Sequence, residues 1–254
     1  MSSEIITSRD NPLVKKLRAL SQDNAAYRKY GQVWLEGDHL CRALLSRGLL
    51  PQMVVLAESA QVQVQAWALP NDVRQVVLSD ALMVQLSGLE SSARMGFVFA
   101  LQQESAVKVG VPTVVLDRLQ DPGNVGSVLR SAAAFGFKQV LALKSTAALW
   151  APKVLRAGMG AHFALHLVES VTADQLSALD LPVLATSSHQ REWLHEAKLP
   201  WPCAWLMGHE GQGVSEALMA QASQTVRIAQ PGGEESLNVA AAAAICLHAS
   251  AVQR

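Results

Sequence analysis

Three short stretches hold the residue types that chemistry needs: DPGNVGSVLR, ending at Arg130; GHEGQGV, starting at Gly208; and PGGEESLNV, ending at Val239. Arg130 carries a rigid fork of N–H donors and stays protonated at any ordinary pH, so it suits a developing oxyanion or a phosphate. Equally, its stem can cover apolar neighbours on a solvated surface. In the second stretch Gly208, Gly211 and Gly213 permit a ligand to come close to the backbone. Their order is not the dinucleotide fingerprint and no G-K-S/T follows, so a phosphate cradle is poorly supported. Glu210 would repel phosphate and suit a cationic ligand, or it sits near a helix N-terminus and interacts with the dipole. In the third stretch Ser236 and Asn238 directly precede a helix and read first as N-caps. The five alanines after Val239 add a small-residue surface that another helix or backbone can approach closely.

These stretches need elements to position them. Val114, Val115 and Leu116 form a short strand, Asp121-Pro122-Gly123-Asn124 is a turn cluster, and VLRSAAAF is helix-forming. Such a strand-to-helix elbow exposes free N–H groups at the helix start, and Gly123 and Gly126 leave room beside the backbone. The second half alternates further: KQVLALK, APKVLRAGMG, HFALHLV, TADQLSAL, PVLATS, CAWLMG, GVSEALMAQA, TVRIAQ and a final alanine-rich helix. Short apolar strands between helices point to a parallel sheet covered on both faces, with ligands beyond the carboxyl ends of the strands. All three marked loops fall at such ends.

The first half also alternates. A helix starts at Asn11-Pro12 and carries Leu13, Val14, Leu17 and Leu20; QVWLEG reads as a strand; DHLCRALLSRG is a helix with Gly48 as its stop; QMVVLA, RQVVLS and GFVFALQ are strands. The polar stretch Gln102–Pro112 is the best linker candidate, which divides the chain into domains 1–104 and 105–254.

Composition bounds the function. The chain has 254 residues, 50% hydrophobic and 17% charged, enough for one large core or two moderate ones. A net charge of zero argues against non-specific coating of nucleic acid, although Arg9, Lys15, Lys16, Arg18, Arg28 and Lys29 outnumber Glu4, Asp10 and Asp23 near the N-terminus. That basic end either touches phosphates or is a solvated helix face. The longest apolar run, VAAAAAICL, is too short for a membrane span and the N-terminus lacks a signal-peptide core, so a cytoplasmic location is expected. Cys41, Cys203 and Cys246 are odd in number and lack C-x-x-C spacing, which suggests core thiols. His162 and His166 have metal-ligand spacing only on a helix; AHFALHLV reads as a strand, where they would lie about 13 Å apart, so no metal is expected. His209 reads as incidental, and the scattered Trp193, Trp201 and Trp205 read as core or interface.

Together the stretches resemble the motifs of the SpoU/TrmH group of the SPOUT RNA methyltransferases. The first is N-x-G-x-x-x-R as Asn124, Gly126 and Arg130; the second is G-x-E-G-x-G as Gly208, Glu210, Gly211 and Gly213; the third is S-L-N-V as Ser236 to Val239. The resemblance covers residues 113–254, and the N-terminal half, with ITSRDNPLVKKLRAL and WLEGDHLCRALL, is similar to the RNA substrate-binding domain often found ahead of it. It implies an α/β fold: a small ribosomal-protein-like α/β domain, then a SPOUT domain with a parallel sheet and a trefoil knot. It also implies transfer of a methyl group from S-adenosylmethionine to a ribose 2′-hydroxyl of rRNA or tRNA. Asn124, Arg130, Glu210, Ser236 and Asn238 are its implied catalytic residues. Backbone groups of Gly208, Ile228 and Leu237, with Thr186 and Gly213, are its implied cofactor site. A homodimer built around the last helix is implied as well. The chain departs from the family's Pro-Met after Ile228, having Ala229 and Gln230. Two other readings stay open: a catalytically silent RNA-binding protein, and a dinucleotide-dependent oxidoreductase that lacks G-x-G-x-x-G.

Overall fold

The computed structural model describes residues 5–254 apart from 61–66, 68, 71, 89–90, 103–105, 189–190 and 234–235. Glu4, part of the N-terminal charge balance, lies outside them. The chain divides into two compact units, one formed by the residues up to Gln103 with Trp150–Phe163, the other by 104–149 with Ala164–Arg254.

In the first unit the order is β1 (Ile5–Ile6), α1 (Pro12–Gln22), α2 (Ala26–Tyr30), β2 (Gln32–Glu36), α3 (Gly37–Leu45), β3 (Met53–Ala57), β4 (Arg74–Leu78), α4 (Asp80–Leu86) and β5 (Met95–Ala100). Helix α1 starts where Asn11 and Pro12 place it: the Asn11 side chain accepts from the Leu13 N–H at 2.9 Å and Pro12 has no N–H to lose. Its face of Val14, Leu17 and Leu20 is buried in one core with Val55, Leu78, Leu82 and Val98. The sheet order is β1-β4-β3-β5-β2, with β5 antiparallel to both neighbours. Gly96 in β5 is required by packing, since a Cβ there would lie 2.4 Å from the Trp34 ring.

The segment Trp150–Phe163, which a boundary at 104/105 assigns to the second domain, belongs to the first unit. Its helix α6 (Pro152–Gly158) presents Arg156 to the buried Glu36 at 3.8 Å, and Glu36 also accepts from the Gly88 N–H. The linker reading of Gln102–Pro112 is corrected too. Gln103–Ser105 lie outside the described residues, but Lys108 exchanges backbone hydrogen bonds with the Gln139 side chain and the Gly110 N–H donates to Leu179, so the later part of the stretch, from Lys108 on, is built into the second unit, while Gln102 belongs to the first.

The second unit contains β6 (Thr113–Leu116), α5 (Pro122–Ala134), β7 (Gln139–Leu143), β8 (His166–Val171), β9 (Val183–Thr186), β10 (Ala204–Met207), α7 (Glu216–Met219), β11 (Gln224–Val226) and α8 (Val239–Val252). Every strand pairing is parallel, in the order β11-β9-β10-β6-β7-β8. The central strands are mostly apolar, as burial on both faces requires, and the buried polar residues at the starts of β6 and β7, Thr113 and Gln139, bond to each other at 2.9 Å. Val115, Leu141, Ala185 and Leu206 meet Leu176, Leu179 and Leu218 in one core. Trp205 donates its indole N–H to Ser250 of α8 at 2.9 Å, and α8 packs on α5. One strand reading needs correction: Ala161–Ala164 form a 3₁₀ turn, and the strand begins at His166. His162 is buried in the first unit beside Trp150, whereas His166 Nε2 lies 2.7 Å from the Ala106 carbonyl in the second. No described helix is long and apolar enough to cross a membrane.

Because the Trp205–Ser250 hydrogen bond is buried between β10 and α8, Trp205→Phe should cost about 1–3 kcal/mol by leaving the hydroxyl with only the weak Cys203 thiol donor at 3.9 Å. A fall in the urea midpoint with unchanged m-value checks this; an unmoved midpoint contradicts it.

Candidate functional site

Parallel pairing brings the carboxyl ends of β6, β9 and β10 to one edge of the second unit. Leu116 pairs with Met207, so Asp117 and Gly208 leave the sheet side by side, and the Asp117 N–H still donates to Met207 at 2.8 Å. Val226 pairs with Thr186, so Arg227 and Ile228 emerge beside Ser187.

The glycine loop after β10 is closed by its own backbone. His209 and Gly213 exchange N–H···O=C hydrogen bonds at 3.0 and 2.8 Å. A Cβ on Gly208 would lie 2.1 Å from the backbone of Gly213 and Val214, so no other residue fits there. Gly213 adopts φ +69°, in the left-handed region that favours glycine. His209, which reads as incidental in sequence, accepts the Gly211 and Gln212 N–H groups on Nδ1 at 3.0 and 3.2 Å and so shapes the loop.

Glu210 ties this loop to the first motif. Its carboxylate accepts from the Gln120 N–H at 3.3 Å, the Asp121 N–H at 3.1 Å and the Asn124 amide at 3.2 Å. Several of the N–H groups around the elbow ahead of α5 are therefore already taken. Glu210 takes two of them, and Asp121, the N-cap of α5, takes the Asn124 N–H at 2.7 Å. Partial burial pushes the Glu210 carboxyl up, but hydrogen bonds from its own N–H, Asp121, Asn124 and Gln120 outweigh it and hold it below the usual carboxylate range.

Asn238 joins the third motif to the first. It is the N-cap of α8, accepting from Ala240 and Ala241, and its amide also donates to Asn124 Oδ1 at 3.0 Å. The capping role and the inter-motif role are thus carried by one side chain. Five residues that the sequence spreads over more than a hundred positions form one polar path: Asn238, Asn124, Glu210, Asp121 and Gln120.

Asp117 and Arg118 belong to the same edge, although the sequence reading passed over them. Asp117 is buried, accepts the Ser215 N–H at 2.7 Å and pairs with Arg118 at 2.9 Å; Arg118 reaches on to Gln212 at 3.0 Å. Burial raises the Asp117 carboxyl, and these partners lower it further than burial raises it. Arg118 sits at φ +61°, an uncommon conformation for a residue with a side chain. The available signal was a charged pair directly after an apolar strand in a parallel sheet.

Next to the Glu210 path lies a cavity of about 300 Å³. Thr186, Gly208, Gly213, Ile228 and Leu237 all line it, as do Glu210 and Ser236. Asn124 and Asn238 stand behind it in the polar path, and Arg130 does not line it. Arg130 is exposed in the third turn of α5, and nothing among the described residues pairs with it. Neither buried thiol of this unit is a nucleophile at neutral pH, because burial pushes Cys203 up to about 11 and Cys246 up to about 12. Among the described residues no group of His, Cys, Asp and Glu is placed to hold a metal ion.

A Glu210 carboxyl held low in the fold stabilises the protein fully above its unfolded value, and the stabilisation is lost as pH falls through the folded value. Glu210→Gln should therefore melt below wild type at neutral pH and converge with it on acidification. Parallel thermal melts check this; a gap that stays constant as pH falls contradicts it.

The arrangement has counterparts. Residues 112–248 match the SpoU rRNA Methylase family. Over 96% of its length the chain is 32% identical to an uncharacterised tRNA/rRNA methyltransferase of Synechocystis, 92% of which is covered. It is 31% identical to the 23S rRNA (guanosine-2′-O-)-methyltransferase RlmB of Bordetella pertussis over 67% of this chain and 76% of that one. Among solved structures, an AdoMet-bound rRNA methyltransferase from Sinorhizobium meliloti superposes with a TM-score of 0.83 at 26% identity, covering 98% of this chain and 97% of that one.

Proposed function

The chain belongs to the SpoU rRNA methylase family, and from that premise we propose that its cavity holds S-adenosylmethionine and that it methylates a ribose 2′-hydroxyl of rRNA or tRNA. The observation that carries this reading is the lining: Thr186, Gly208, Gly213, Ile228 and Leu237 surround one space at the carboxyl ends of parallel strands. The residues present fit the group. The site has backbone at Gly208, Gly211 and Gly213 along its wall, and no lysine is among the described residues that line it. S-adenosylmethionine supplies an electrophilic methyl group on a sulfonium.

The chain's own residues then do three things. Gly208, Gly213 and Ile228 offer backbone contact on the cavity wall. Glu210, Asn124 and Asn238 fix the loops: the Glu210 carboxylate is occupied by Gln120, Asp121 and Asn124, so it acts as a positioning group rather than as a base. Arg130 stays protonated and cannot take a proton. We assign it to the acceptor, where it donates to the 2′-oxygen as negative charge develops or to the adjacent phosphate, while the hydroxyl proton leaves to water or phosphate. Holding the hydroxyl in line with the methyl group supplies the remaining acceleration. Ser236, exposed and part of the cavity lining, is assigned to the RNA side.

We further propose a homodimer through α8. Ile245 is 41% exposed and lines an apolar groove of about 560 Å³ with Ala229, Ala244, Phe135 and Leu194. A partner seated there supports an acceptor site shared between chains, since Arg130 stands away from its own chain's cavity lining. In the same reading the first unit binds RNA, the C-terminal segment threads a trefoil knot, and the reaction is cytoplasmic.

Arg130→Ala should lose about 100-fold or more in methyl transfer, with S-adenosylhomocysteine affinity unchanged by calorimetry, and Arg130→Lys should fail alike because a point charge does not reproduce the fork. Full turnover by either discards the assignment. Ile245→Arg should sediment as a folded monomer without transfer activity; a wild type that is monomeric and fully active rules out the shared site.

A further inference from the structure

The basic residues near the N-terminus read in sequence either as a phosphate-contacting end or as a solvated helix face, and the fold sorts them. Lys15 pairs with Asp10 at 2.9 Å, and Arg18 donates to Gln85 at 3.3 Å. Lys16 and Lys29 instead come from two different helices, α1 and α2, to one ring. The Lys16 ammonium lies 5.4 Å from the centre of Tyr30 and the Lys29 ammonium 5.3 Å from it. Arg28 stands alongside, 5.2 Å over Tyr27.

Among the described residues no carboxylate pairs with Lys16 or Lys29. The acids nearest in sequence are engaged elsewhere, Asp10 with Lys15 and Asp23 with the Ala25 N–H at 2.8 Å. The dipole of α2 accounts for Lys29 in its last turn, but it does not bring Lys16 from α1 to the same ring. Two ammonium groups around one ring repel each other, and a polyanion set against both removes that repulsion. Tyr30 is half-buried against the core of the first unit, so its ring anchors the two cations instead of offering a free surface to a base.

We propose that Lys16 and Lys29, held on Tyr30, grip the phosphate backbone of the RNA without regard to base identity. Their ammonium groups donate to phosphate oxygens, contacts that position a nucleic acid but carry no sequence information. This rests on the reading of the first unit as the one that binds RNA, and adds to it the face that does so and the kind of contact it makes. Choice of the nucleotide is left to other residues.

The test is fluorescence anisotropy on the full-length chain with two stem-loop RNAs of unrelated sequence across a salt series, with melts of each protein to establish folding. Wild type is compared with Lys16→Gln, Lys29→Gln, the double variant, and Lys15→Gln, which removes the same charge from a neighbouring lysine that is already paired. The slope of log affinity against log salt should become shallower by about 0.9 for Lys16→Gln and for Lys29→Gln, and by about twice that for the double variant. The change should be the same on both RNAs, and Lys15→Gln should leave the slope close to that of wild type. A double variant with the wild-type slope, an equal change in Lys15→Gln, or losses that differ between the two RNAs overturns the proposal while the RNA-binding reading stands. Failure of wild type to bind either RNA overturns both.

Discussion

Asn238 donates to Asn124, Asn124 donates to Glu210, and Glu210 accepts the Gln120 and Asp121 N–H groups. Through these bonds the N-terminal end of α8, the N-terminal end of α5 and the glycine loop after β10 hold one another in place. Each member also has a local task. Asn238 caps α8, Asp121 caps α5, and the carboxylate lies where the α5 dipole favours negative charge. The local and inter-loop demands agree, which is what allows three exposed loops to keep a single arrangement. The cavity wall formed by Gly208, Ile228 and Leu237 depends on that arrangement.

The sheet makes the path possible. All the pairings in the second unit are parallel, so its strands release their loops at the same edge, and register decides which residues meet there. Leu116 opposite Met207 sets Asp117 beside Gly208; a slip of one residue would send the polar groups to the wrong face. Behind the edge, Asp117 locks the Ser215 N–H at the start of α7 and orients Arg118 toward Gln212, so the glycine loop is held from both flanks. Such charge-assisted bonds hold direction as well as distance.

Much of this was readable from the residues. Asn11-Pro12 marked the start of α1, the β-branched runs marked the central strands, and the three loops were placed at strand ends by alternation alone. The motif residues were identifiable as a set, but their bonding was not, because hydrogen bonds between Asn124 and Asn238 depend on which strands neighbour each other, and periodicity does not encode strand order. Glu210 illustrates the difference. Its charge suggested a cationic ligand, whereas in the fold backbone amides occupy it. Lys108 and Gly110 looked like linker because polar residues without periodicity carry no sign of the side chain, Gln139, that anchors them. Ala161–Ala164 looked like strand because a short apolar run is ambiguous, and His162 next to Trp150 turns there instead. Trp150–Phe163 joined the first unit through Arg156 and Glu36, a pairing of residues remote in sequence.

The interdependence of the loops can be measured directly with a double-mutant cycle on Asn124→Ala and Asn238→Ala, following unfolding free energy and S-adenosylhomocysteine affinity together. If the polar path holds the site, the two substitutions are non-additive by about 0.5–3 kcal/mol in stability, and either one alone weakens the ligand nearly as much as both. Strict additivity in stability, with ligand affinity untouched by Asn124→Ala, would contradict it.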